Sequence, residues 1–329
     1  MKPTTLARAA FSCLTWTIAL PLALGPAPAV AGDVSLGADQ LCGLMNAARP
    51  DRDGRVRNEL VQGRNGPIDT IRFGRGSPLL LITGYRATLR EWDARFLGEL
   101  ARHHEVIVFD NRGVGRTAAA EGRYGSNYRI RDMAADAGDV IAALRLKHVN
   151  VIGWSMGGMI AQQLALDAPE KVESLTLIAT APPGPSAAPL RPEVQDVLSS
   201  HGPDAFGKIM KVLFPPSAVA DATKCFVSDM FAPPGYAPPS VPDAVASQQK
   251  QAMADWFEDS AAAAALRHAP VRTLVIAGAQ DEVLADVNAT QLEQIVPRAG
   301  LDRVSNAGHA LMFQYPAALA QHIDAFVKQ

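Results

Sequence analysis

Val149-Asn150-Val151-Ile152-Gly153-Trp154-Ser155-Met156-Gly157-Gly158 is the stretch whose reading decides the fold. Branched apolar residues at 149–152 read as a strand, and Met159-Ile160-Ala161-Gln162-Gln163-Leu164-Ala165 continues as an apolar helix. Between them stands G-x-S-x-G. A strand turning sharply into a helix brings backbones too close for side chains at the glycine positions. The same turn lifts the serine hydroxyl out of the sheet and sets a helix N-terminus beneath it. The five-residue motif alone occurs by chance, but here the strand before it and the helix after it supply the context it needs.

Further short apolar runs lie on both sides of this stretch. Pro78–Ile82, Glu105–Phe109, Ser174–Ile178 and Val271–Ile276 are nearly continuous hydrophobic segments, which means burial on both faces, as in a parallel sheet covered by helices. Leu89–His103, Arg129–Leu146 and Gly158–Ala168 read as the helices between them. This alternation predicts an α/β fold with an open, mostly parallel sheet and right-handed crossovers. Arg55–Val61 and Ile68–Phe73 read as an antiparallel edge hairpin turning through Gly63–Gly66.

The alternation stops between Ala181 and Ala269. This segment holds thirteen prolines from Pro182 to Pro242 and bulky apolar residues on short helical pieces. It reads as a helical cap over the carboxyl edge of the sheet, where ligands of open α/β sheets bind. The expected division is a signal peptide at 1–31, the first part of the α/β core at 32–181, a helical cap at 182–269 and the second part of the core at 270–329.

Residues 1–31 have the layout of a secretory signal: Lys2 and Arg8 with no acid, an apolar run from Phe11 to Leu24, and Ala29-Val30-Ala31 as a cleavage pattern. The run is shorter than the roughly 20 residues of a membrane span and Pro21 interrupts it. Cys13 precedes most of it and is badly placed for lipid attachment. The expected localisation is therefore periplasmic or secreted, with cleavage after Ala31 and no stable membrane span in the mature chain. The formal charge of −2 becomes −4 on that cleavage, and nothing basic is concentrated enough to suggest nucleic acid. Cys42 and Cys225 remain; an oxidising compartment would let them pair, though sequence alone does not bring them together. No Cys-x-x-Cys or His-x-x-x-His spacing occurs, so metal ligation is not expected, and a serine nucleophile assisted by a base would require no organic cofactor.

A serine hydroxyl needs a base. Of seven histidines, His309 follows a strand at Leu301–Val304 on the glycine-flexed loop Asn306-Ala307-Gly308 and precedes a helix near Tyr315-Pro316. His103, His104, His148, His201, His268 and His322 read as surface or packing residues. Asp281, at the end of the strand-to-loop run Val275–Gln280, is the preferred acid, with Glu282 and Asp286 as nearby alternatives. The oxyanion donors are expected to be the N–H groups of Met156, which follows the serine, and Tyr85, in the loop after the Leu79–Ile82 strand. Trp154 and the cap residues Met210, Phe214, Met230 and Trp256 are the expected substrate contacts, although such residues also serve to pack a cap on its core.

From Arg55 to the C-terminus the chain resembles the α/β-hydrolase superfamily. The order Ser155, Asp281, His309 is the order of that family's triad. Phe109-Asp110-Asn111-Arg112-Gly113-Val114-Gly115-Arg116-Thr117 is similar to its structural D-x-R-G-x-G-x-S loop. The run from Gly153 to Ala161 is similar to the elbow of the branch containing 3-oxoadipate enol-lactonases, cofactor-free haloperoxidases and small carboxylesterases. Thr83-Gly84 stands where the family often has His-Gly, which keeps the backbone donor but not the histidine. The resemblance implies a serine hydrolase acting on a small, fairly apolar ester or lactone. Acyl transfer, perhydrolysis or carbon–carbon bond hydrolysis would use the same triad, and a non-catalytic binder could share the fold.

Overall fold

Leu79, Leu80, Leu81 and Ile82 are all fully buried, and burying each such side chain is worth about 1.5–3 kcal/mol. They form the middle of a nine-stranded sheet. In this computed structural model the described residues are Met1, 32–43, 56–119, 126–237 and 240–329. The signal-peptide reading of 1–31 thus lies outside the described residues, apart from Met1, as does Arg55. The strands are β1 (Gly32–Val34), β2 (Arg57–Gly63), β3 (Gly66–Gly74), β4 (Ser77–Ile82), β5 (His104–Phe109), β6 (Val149–Trp154), β7 (Val172–Ile178), β8 (Arg272–Gly278) and β9 (Ala299–Val304).

Their order is β1-β9-β8-β7-β6-β4-β5-β3-β2. The contacts from β1 to β5 across the sheet are parallel; only β2–β3 and β3–β5 run antiparallel. The β2–β3 hairpin closes through Arg64 and Asn65, with Gly63 opposite Gly66. Strand order reverses at β4: the chain leaves it for β5 on one side and comes back as β6 on the other. Ligand sites of open α/β sheets form at such a reversal. Here Ile82 pairs with Gly153, so the loops after β4 and β6 emerge side by side.

The core helices are α1 (Ala94–Leu100), α2 (Gly115–Ala119), α3 (Ile130–Ala143) and α4 (Met156–Asp167). The first is shorter than Leu89–His103 suggested. The Asp93 carboxylate accepts from the Arg95 and Phe96 amides at 2.8 Å each and starts the helix there. Ahead of it, Trp92 is buried and its carbonyl accepts from Phe231 N–H at 2.8 Å, which holds 89–92 as a loop.

Between β7 and β8 come α5 (Pro192–Leu198), α6 (Ala205–Leu213), α7 (Val219–Asp229), α8 (Asp243–Glu258) and α9 (Ser260–Leu266), with no strand among the described residues of that segment. Helices α5, α6 and α7 pack on one another, whereas α8 packs on α3 and α4, and α9 on α4. After β8 follow α10 (Val287–Ile295), then beyond β9 the short α11 (Leu311–Gln314) and α12 (Pro316–Val327). Cys42 and Cys225 form a disulfide with Cα atoms 5.1 Å apart, and Cys42 N–H donates to Asp229 Oδ2 at 3.0 Å. The segment before β2 is thereby fastened to α7. No helix among the described residues is long and apolar enough to cross a membrane.

Candidate active site

Ser155 sits between β6 and α4 with φ 56° and ψ −123°, a conformation that costs a non-glycine residue about 1–3 kcal/mol. Three hydrogen bonds hold it. Its N–H donates to Ile178 O at 3.0 Å, and its carbonyl accepts from Gly158 N–H at 2.9 Å and Thr180 Oγ1 at 2.7 Å. The glycines are explained by contact. A Cβ on Gly153 would run into the Gly157 carbonyl, and one on Gly157 into the carbonyl of Ile82. The strained turn and its glycines are one device, which sets the hydroxyl at the head of α4.

His309 lies on the loop after β9. Its Nδ1 is 2.8 Å from Asp281 Oδ2, and both side chains are almost fully buried. A carboxylate can only accept, so Nδ1 carries the hydrogen and Nε2 keeps a lone pair. The other oxygen of Asp281 accepts from Val283 N–H at 2.7 Å and Leu284 N–H at 3.0 Å, which locks the carboxylate. The histidine loop is fixed as well. Gly308 N–H donates to Gln314 Oε1 at 2.9 Å, Ala310 N–H to Leu213 O at 3.1 Å, and Trp154 Nε1 to His309 O at 3.0 Å. The alternative acids are engaged elsewhere: Glu282 pairs with Arg191 at 2.6 Å and Asp286 with Arg303 at 3.0 Å.

Gly84, after β4, packs against the serine, since a Cβ there would stand 3.1 Å from Ser155 Cβ. Neither the Tyr85 N–H in this loop nor the Met156 N–H, first in α4, has a backbone acceptor among the described residues. Asn111 steadies the loop in place of the absent histidine, its Nδ2 donating to Thr83 O and Oγ1 at 3.3 Å each. Beneath it the Arg112 guanidinium is buried against Asp136 at 2.6 Å. Asp110 is fully buried and accepts from Leu89 N–H at 2.7 Å and Tyr236 O–H at 2.9 Å. Burial pushes its carboxyl up to about 7 despite those bonds.

Ser155 and His309 share a cavity of about 330 Å³. Trp154, Met210 and Met230 line it, together with Tyr85 and Gly84. Phe214 and Trp256 do not. Phe214 packs edge-on against Phe226, and the Trp256 indole N–H turns back to Ala181 O at 3.3 Å. The apolar wall consists instead of Phe206, Ile209, Leu213, Phe226 and Val227 from α6 and α7. Arg86, Glu91 and Ser200 supply polar lining that the sequence did not mark. Phe206 and Val227 are also exposed, so they stand at the mouth.

A strand-turn-helix serine, a buried histidine–acid pair after two later strands and a donor loop after an earlier one define a class of α/β protein. Residues 77–316 match the family described as alpha/beta hydrolase fold, and the chain belongs to it. It is 31% identical over 155 residues to the putative carbamate hydrolase RutD of Variovorax paradoxus, covering 47% of this chain and 55% of that one. Over 103 residues it is 38% identical to rhodomycin D methylesterase DauP of a Streptomyces species, covering 31% and 34%. The chain spans about half or less of the length of several curated relatives that it matches. An alpha/beta hydrolase fold protein from Chitinophaga pinensis superposes with a TM-score of 0.68, at 20% identity over 84% of this chain and 98% of that one, a likeness of fold.

Proposed function

We propose that this protein is an exported serine hydrolase that cleaves a small, fairly apolar carboxylic ester or lactone through an acyl-enzyme. The observation that carries this reading is the 2.8 Å contact between His309 Nδ1 and Asp281 Oδ2, beside the cavity that holds Ser155. With Nδ1 so engaged, Nε2 is the free base. Ser155 Oγ makes no hydrogen bond among the described residues, and such contacts tighten only when substrate is bound.

The hydroxyl of Ser155 attacks the ester carbonyl as Nε2 takes its proton, and the imidazolium is stabilised by Asp281. The oxyanion faces the Tyr85 and Met156 amides, each donor being worth about 2.7–4 kcal/mol in the transition state. Nε2 then returns the proton to the departing alcohol. Water repeats the sequence on the acyl-serine and releases the acid. Relatives named as a carbamate hydrolase and a methylesterase agree with attack on an ester-like carbonyl, and the aliphatic and aromatic wall suits an apolar acyl or alcohol group. Export is supported by the leader-like pattern at 1–31 and by the Cys42–Cys225 disulfide, a bond that persists in oxidising compartments.

The test is Ser155→Ala against p-nitrophenyl butyrate, with fluorophosphonate labelling of the wild type. Loss of about 10⁶-fold in kcat and labelling at Ser155 are expected. A variant with full activity, or folded wild type that takes no label, would overturn the assignment.

A further inference from the structure

Glu91 stands in the loop between β4 and α1, just ahead of the buried Trp92. Its Oε2 accepts both the N–H and the O–H of Thr88, each at 2.6 Å, so the carboxyl is fixed in place. Its Oε1 has no hydrogen-bond partner among the described residues. The side chain is half-buried, and it lines both the cavity of Ser155 and His309 and an adjoining polar cleft with Arg86, Thr88, His201 and Asp243. That oxygen is accessible from the cavity, and a carboxyl oxygen with no protein partner there is free to hydrogen-bond a ligand.

The neighbouring polar groups do not compete for that role. Tyr85 O–H is bonded to Ser199 Oγ at 3.1 Å, Ser200 Oγ donates to Val197 O at 2.6 Å, and the Trp154 indole N–H is spent on His309 O. The Tyr85 and Ser200 hydroxyls thus each have a partner within the protein, whereas Glu91 Oε1 has none among the described residues. The Arg86 guanidinium, 4.0 Å from Asp243 and 3.4 Å from Leu198 O, stands on the same wall and disfavours a cationic ligand there. Burial pushes the Glu91 carboxyl up, toward its neutral form. Because Oε2 is filled by two accepted bonds, a bound proton sits on Oε1. A hydroxyl group serves both states: it donates to a carboxylate and accepts from an acid.

We propose that Glu91 is a specificity-determining residue that selects esters or lactones bearing a neutral hydroxyl besides their apolar portion. This rests on the hydrolase reading of Ser155 and names the substrate class for that site. The apolar remainder lies against Ile209, Met210, Leu213 and Phe226, and the hydroxyl meets Glu91 Oε1.

The experiment compares methyl hexanoate with its 3-hydroxy and 6-hydroxy forms by pH-stat titration, in wild type and Glu91→Leu. At least one hydroxy ester should exceed the plain ester by about tenfold in kcat/KM in the wild type, mainly through KM, as a hydrogen bond to an ionisable group allows. In Glu91→Leu that ratio should fall to about one. Equal kcat/KM values in the wild type, or a preference that survives the substitution, would overturn the proposal. If Glu91→Leu does not fold, Glu91→Gln keeps an acceptor for Thr88 but turns a donor-only NH2 outward. It should lower the ratio by about threefold, and an unchanged ratio would overturn the proposal. Fluorophosphonate labelling separates the two readings. Labelled enzyme that hydrolyses all three esters equally removes Glu91 alone, whereas unlabelled, inactive enzyme removes the hydrolase reading with it.

Discussion

The floor and the roof of the cavity are made differently. The floor is backbone: β4 and β6 are neighbours, β8 and β9 are neighbours, β7 joins the two pairs, and the loops after β4, β6, β8 and β9 carry Tyr85, Ser155, Asp281 and His309 at positions set by strand pairing. Its polar groups are bonded within the floor, as with Asp281 to the amides of Val283 and Leu284. The roof is side chains on α6 and α7, helices outside the sheet, tied to the rest by a few links. These include Ala310 N–H to Leu213 O, Cys42 N–H to Asp229, and the Cys42–Cys225 disulfide. A floor fixed by pairing can hold reacting atoms within tenths of an ångström. A roof fixed by packing can change which substrate it accepts without disturbing them.

Asp281→Asn strikes the floor while leaving its nucleophile in place. An amide whose oxygen still serves Val283 and Leu284 must turn its NH2 toward His309 Nδ1, which imposes the wrong tautomer. The expected loss is about 10⁴-fold in kcat on p-nitrophenyl butyrate with KM little changed. A large rise in KM instead would mean that the acid shapes the pocket.

Removing the disulfide with Cys42→Ser/Cys225→Ser loosens the roof. It should cost about 2–5 kcal/mol in denaturant unfolding and raise KM more than it lowers kcat. A kcat that falls while KM holds would show that the two halves are not separable.

The smallest effect concerns Asp110 under the floor. Its folded pKa of about 7 lies above the ordinary 3.8, so the folded state binds the extra proton between those pH values and stability falls as pH rises through that window. At about 1.36 kcal/mol per unit this amounts to a few kcal/mol. Asp110→Asn removes the titration; its oxygen still accepts from Leu89 N–H, and its NH2 can donate to the Tyr236 hydroxyl oxygen. Melting curves from pH 4 to 8 should show the variant gaining on the wild type as pH rises; parallel curves would contradict the shift.

The same contrast governs what could be read from the sequence. Ser155 was legible because sterics at Gly153 and Gly157 write themselves into residue type, and the strands because burial on both faces demands continuous apolar runs. Asp281 was only preferred over Glu282 and Asp286, since three acids within six residues differ in direction and not in kind. Phe214 and Trp256 show the limit for the roof: a large apolar residue on a cap helix announces burial without saying against what. Glu91 left no signal, being one acid in a loop with no periodicity. Cys42 and Cys225, 183 residues apart, meet through tertiary packing that no local pattern encodes.

The chain leaves the sheet after β7 for α5 to α9, the roof helices among them, and re-enters it at β8, the immediate neighbour of β7, with Ser174 opposite Arg272. The two ends of the inserted segment are therefore held together whatever lies between them. Doubling the length of such an excursion adds only about 0.6 kcal/mol of closure entropy. Evolution could rewrite this cover wholesale, trading one clientele for another, while the machinery below stayed as it was.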